Sequence, residues 1–128
     1  MLKFRPITPV RFYAKESAYI PGQGQETGWT DIGKLYGEWR GTFGDRVTAA
    51  QALGVSDSAT IRTFYHPGIY AKLCAVQVVV VRNDDPAALK HGVPDRNNPN
   101  VYEVWAGVDN VEQSNQYMEF CVRRYEGK

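Results

Sequence analysis

The sequence predicts a mainly β protein: a small antiparallel β-barrel or sandwich of about six strands, with one short helix in an insertion. Three observations lead there. Apolar and polar residues alternate with period two in most segments, a β-branched run extends from Val76 to Val81, and the helical crossovers that parallel strands require are missing. The 128 residues are 43% hydrophobic and 12% aromatic, a globular composition. They read as a single domain over residues 1–128, large enough to bury about two-thirds of the unfolded chain's surface.

In chain order, a short strand is expected around Val10 to Tyr13. Residues 17–28 follow as a polar segment with Pro21, Gly22, Gly24 and Gly28, longer than an ordinary hairpin loop and therefore mobile or functional. Leu35, Gly37 and Trp39 alternate with Lys34, Tyr36, Glu38 and Arg40, which predicts a second strand. Asp45 as N-cap and Gly54 as C-terminal stop frame a helix of about two turns, with Val47, Ala50 and Leu53 on one face. The span from Ser58 to Tyr65 is the next strand, with Ala59, Ile61 and Thr63 pointing one way. His66-Pro67-Gly68 reads as a turn, and Leu73 to Arg82 as a buried strand. Residues 83–100, with Pro86, Pro94 and Pro99, form a second long polar segment. The chain closes on a hairpin. Tyr102, Val104, Ala106 and Val108 share one face of its first strand, Met118, Phe120 and Val122 one face of its second, and Asp109 to Asn115 make the turn.

Composition narrows the function. Fifteen Lys+Arg against fourteen Asp+Glu leave a formal charge of +1, which argues against a protein built to coat nucleic acid. A ring whose lumen touches DNA weakly remains compatible with it. The longest apolar run, Val78 to Val81, is far too short to span a membrane, and the start of the chain lacks the apolar stretch of a secretory signal. Cys74 and Cys121 fall in strand-like segments and read as reduced core thiols of a cytosolic product. A bridge between them stays open, because a sheet can bring distant strands together.

Each candidate for chemistry lacks a member. Gly22, Gly24 and Gly28 imitate a phosphate loop without its Lys-Ser/Thr ending or its following helix. His66 and His91 have no metal-ligand spacing and read as exposed turn residues; Asp84-Asp85-Pro86 reads as a strand-ending turn rather than a cation cage. Neither cysteine has an evident histidine partner, and there is no Gly-x-Ser-x-Gly elbow. The expectation is a protein that is not an enzyme, with no cofactor and no metal.

Two segments carry a family resemblance. Trp39-Arg40-Gly41-Thr42-Phe43-Gly44-Asp45-Arg46-Val47-Thr48-Ala49-Ala50-Gln51, followed by Ala59-Thr60-Ile61-Arg62-Thr63-Phe64-Tyr65-His66-Pro67-Gly68-Ile69, resembles phage head–tail joining proteins, also called head closure, stopper or head completion proteins. The shared order is a strand ending in tryptophan, an Ala/Gln-containing insertion, and a T-I-R-x-x-Y type strand with a Pro-Gly turn. The span from Tyr102 to Tyr125 resembles their closing hairpin, so the likeness covers about residues 29 to 125. The chain departs from the family at residues 83–100, where a brief Y-x-I strand is usual.

The resemblance implies a small β-barrel that joins a homo-oligomeric ring, a dodecamer, below the portal and adaptor of a tailed phage. There it would close the DNA-filled head and offer the tail its attachment surface. It would be found in the virion and, during assembly, in the host cytoplasm. The insertion, residues 41–56, would supply the ring or channel contacts, with Arg40, Phe43, Asp45, Arg46, Val47 and Gln51 as its candidates. Arg40 and Arg46 would face packaged DNA without reading bases; the alternative is that they are solvated, or pair with Glu38 and Asp45. Hinge glycines at Gly41, Gly44 and Gly54 suit an element that moves on assembly. Two other readings stand beside this one. A tail terminator or other neck subunit differs only in its partners. A small β-barrel nucleic-acid module would use Tyr117, Arg123, Tyr125 and Trp105, on faces that Glu103 and Glu119 share.

Overall fold

Strands form where the alternation is cleanest, and six of them close on themselves. The computed structural model describes residues 4–22, 24–41, 58–111 and 115–126. Its elements are β1 (Thr8–Ile20), β2 (Gly24–Gly41), β3 (Ala59–Phe64), the helix α1 (Pro67–Ala75), β4 (Val78–Arg82), β5 (Leu89–Lys90), β6 (Val93–Pro94), β7 (Val101–Asn110) and β8 (Tyr117–Arg124). Around the barrel the order is β1-β2-β3-β8-β7-β4, with β4 returning to β1, and every neighbouring pair is antiparallel. The expected mainly β fold is therefore present as a closed barrel. β5 and β6 form a separate small ribbon.

The period-two pattern decides what lies inside. Val10, Phe12 and Ala14 of β1, Ala59 and Ile61 of β3, Val78 and Val80 of β4, and Met118, Phe120 and Val122 of β8 share one core cluster. Phe12 and Phe120 meet edge to face across it, with ring centroids 5.7 Å apart. Each such side chain contributes about 1.5–3 kcal/mol when fully buried. Gly37 sits where β2 crosses this core. A Cβ there would lie 3.0 Å from methyl groups of both Ile61 and Thr63, so any side chain would press those methyls aside by a few tenths of an ångström.

Four expectations change. Residues 17–28 are not a loop: β1 and β2 stay paired from Thr8↔Gly37 to Ile20↔Gly24, with a turn only at their tip. Glycines and polar residues concealed a ribbon that extends past the barrel. Pro67-Gly68 is not an isolated turn but the first turn of α1, with Pro67 at a position where its missing N–H costs nothing. His66 is exposed as expected, yet it caps that helix, its Nδ1 accepting the Ile69 N–H at 3.1 Å. The strand read from Leu73 starts at Val78, because Leu73, Cys74 and Ala75 finish the helix. Leu73 and Ile69, one turn apart, enter the barrel core. Cys74, on the opposite side, is exposed rather than a core thiol, and both cysteines are free. The helix expected over residues 45–54 lies outside the described residues.

Residues 83–100, read from composition as a long polar segment either mobile or functional, are ordered against the barrel. They cover the outer face of the barrel, where Val79, Val81 and Val101 form a second buried cluster with Ala88 and Tyr125. Asp85 organises the segment, accepting from the Ala87 N–H at 2.9 Å and from the Asn98 and Asn100 amides at 2.9 and 3.2 Å. His91 and Gly92, at φ 56° and 77°, make the tight turn between β5 and β6 that matches strand twist.

Phe12→Ala should cost about 3–5 kcal/mol and Gly37→Ala about 1–3 kcal/mol, both measured by urea unfolding. A Gly37→Ala protein of wild-type stability would contradict the close approach of β2 and β3.

Candidate functional site

The insertion starts and ends at one place. Gly41 and Ala59 are paired across β2 and β3, so the segment between them begins and ends at one point of the barrel wall. Alternation at the end of β2 sends Trp39 inward and Arg40 outward. Trp39 packs against the core and meets Tyr102 edge to face at 4.8 Å, while the Arg82 guanidinium stacks 4.7 Å from its ring. This aromatic and cationic stack closes the core near the Gly41–Ala59 pair.

Arg40 does not stand free on the outside. Its Nε donates to Glu38 Oε1 at 3.0 Å, and the Arg5 N–H donates to the other Glu38 oxygen at 3.1 Å. Of the two readings for Arg40, the structure contains the pairing with Glu38. Phe43, Asp45, Arg46, Val47 and Gln51 lie outside the described residues. The site can thus be built only from its base: Trp39, Arg40 and Gly41 on one side, Ser58 and Ala59 on the other.

Along the outer wall from this base, charge is neutralised within the chain. Arg62 donates to Glu119 through Nε at 2.6 Å and also through Nη2. Arg123 donates to Glu103 at 2.8 Å and lies over the Trp105 ring. On β1 and β2, Arg11 bridges Asp84 at 2.6 Å and Asp31 at 2.7 Å, and Lys34 approaches Asp84 at 3.7 Å. Tyr125, counted as a platform residue in the nucleic-acid reading, is 6% exposed and packs edge to face on Trp29. Tyr117 belongs to a surface cluster with Phe4 and Phe64, its ring 5.1 and 5.7 Å from theirs. Phe64 and the neighbouring Tyr36 remain more than half exposed. Periodicity marked these positions as outward, but not as a cluster: it forms because the N-terminal segment folds back and brings Phe4 to the end of β3.

Among the described residues, no group of three His, Cys, Asp or Glu is placed to hold a metal ion, and no helix is long and apolar enough to cross a membrane. Cys121 sits 3.8 Å from the Thr60 hydroxyl. Neither His66, which caps α1, nor His91, in its turn, accompanies it. Comparison with protein-family models, with curated proteins and with solved structures returned no match.

Three carboxylates are held below their ordinary range. Arg11 does this to Asp84; the Asn98 amide, the Ala87 N–H and the Asn100 amide do it to Asp85; Arg40, helped by the Arg5 N–H, does it to Glu38. A carboxylate whose folded pKa is lowered stabilises the fold above its unfolded pKa, and the contribution is lost as pH falls through the folded value. The melting temperature should therefore hold level above about pH 5 and fall once the pH drops below about 4. Asp85→Asn should flatten part of that acid limb. A wild-type melting temperature unchanged to about pH 2 would contradict these linkages.

Proposed function

We propose that this chain is a structural assembly protein, a head–tail connector subunit of a tailed phage. It would form a homo-oligomeric ring below the portal and adaptor, close the DNA-filled head and present the tail's attachment surface. The observation that carries the reading is the pairing of Gly41 with Ala59 at the root of residues 42–58. The segment between them is therefore anchored at both ends to one point of a closed barrel wall. That is how a rigid scaffold carries a contact element that can change attitude without unfolding its base.

Two further features support it. The strand that carries Trp39, the Thr60-Ile61-Arg62 strand and a closing antiparallel β7–β8 hairpin are elements that the resemblance also has. The outer-wall arginines Arg40, Arg62 and Arg123 are each bound to a glutamate, which suits a subunit packed among protein neighbours. It suits a nucleic-acid platform less well, because such a platform needs unpaired cations interleaved with aromatic rings. In this reading any contact with packaged DNA is non-specific and comes from the segment between Gly41 and Ala59, with Arg46 as its cation. Purified protein that binds single-stranded DNA tightly at low salt would favour the nucleic-acid reading instead.

Deleting residues 44–54 should leave the barrel folded, because its root pairs remain. The deletion should yield DNA-filled heads that leak or fail to join tails, and so should Asp45→Pro. Normal phage titres from the deletion would overturn the proposal.

A further inference from the structure

Closing a barrel removes strand edges, yet this barrel leaves two. β1 pairs with β4 only from Val10 to Ala14, followed by one bond from the Lys15 N–H to the Gln77 carbonyl. β2 pairs with β3 only from Gly37 to Gly41. Among the described residues, 16–20 of β1 therefore have no strand partner but 24–28 of β2, and 24–36 of β2 none but 9–20 of β1. A two-stranded ribbon is marginal in water by itself, and its unpaired N–H and C=O groups are a template for another strand.

The devices that usually blunt such an edge are confined to its barrel end, where Lys34 and the bulge between Phe12 and Tyr13 lie. No proline or lysine occurs from Gly24 to Gly33, whereas lysine and proline are the common guards of exposed edges. The described charged side chains along the ribbon are already satisfied within the chain. Lys15 lies over the Trp29 ring, Glu16 accepts from Lys72 at 2.6 Å, and Asp31 is bound to Arg11. Among the described side chains, a strand added here would bury no uncompensated charge, so the usual penalty against edge pairing is small.

We propose that the ribbon is a self-association surface, in which the β2 edge of one copy pairs with the β1 edge of the next. The partner is a second copy of this chain because the two free edges belong to one ribbon and match in polarity. Joining them continues the order β1-β2-β1-β2 with every pair antiparallel. The contact uses different surfaces on the two copies, so its repetition builds a ring or an open filament rather than stopping at a dimer. The inference stands on the ribbon's edges and not on the head–tail reading.

The test is the mass of the full chain from micromolar to millimolar concentration, by light scattering and sedimentation, with amide hydrogen exchange on the same samples. Mass should rise with concentration above that of the monomer. Amides in residues 16–20 and 24–36 should become at least tenfold better protected as it does. Thr27→Lys combined with Thr30→Lys, both at exposed positions, should abolish the association and leave the monomer's thermal unfolding unchanged. A chain that stays monomeric throughout overturns the proposal. So do oligomers whose ribbon amides exchange as in the monomer, or that tolerate both lysines. Oligomers of that kind would leave the connector reading standing, because they place the ring contact elsewhere. A protected ribbon in a protein whose 44–54 deletion still yields normal phage would do the reverse.

Discussion

The pairing of β1 with β4, Val10 against Arg82 through Ala14 against Val78, is the contact on which the rest depends. It turns a six-stranded sheet into a barrel, and in doing so it defines two faces for β4. Val78 and Val80 face the interior with Phe12 and Phe120, while Val79 and Val81 face outward. A run of four valines is more apolar than a half-exposed strand tolerates. Its outward half needs a cover, and residues 83–100 supply it by laying Ala88 over the same two valines. The cover then holds the closure in place through Asp84, whose carboxylate joins Arg11 of β1 to the start of the covering segment. Closure, cover and ion pair are one cooperative unit.

The same pairing explains where the molecule is unfinished. β4 has five residues and β1 has thirteen, so β1 outruns its partner and carries β2 with it. The ribbon beyond the barrel is the geometric remainder of two strands longer than their neighbours. At the other end of β2, Gly41 pairs with Ala59 of β3, so the segment between them begins and ends at one point of the wall. The barrel is thus a finished core from which a continuous ribbon extends.

What the sequence made legible follows from which forces act locally. Met118, Phe120 and Val122, or Ala59, Ile61 and Thr63, announce themselves because one buried face imposes period two on the chain. The ribbon at residues 17–28 stayed hidden because glycine and polar residues occupy much of it, as they would a loop. The helix α1 was missed because only Ile69 and Leu73 mark its buried side, and Pro67-Gly68 is equally a turn signal. Order in residues 83–100 comes from Asp85 and Asn98 side chains bonding to nearby groups, a tertiary pattern with no period to detect. At the site, the bond between Arg40 and Glu38 was within reach of the sequence, because residues two apart on a strand share a face. The Phe4, Phe64 and Tyr117 cluster was not, since it joins three distant segments.

The central claim is that this barrel is a ring-forming subunit of the junction between head and tail. Electron microscopy of connectors purified from virions, with this chain identified by a bound antibody or a fused marker, tests it most directly. The account predicts a ring below the portal whose subunit density fits the six-stranded barrel, with the segment between Gly41 and Ala59 directed at the channel or at a neighbour. Connectors that contain portal and tail proteins but no copy of this chain would contradict it.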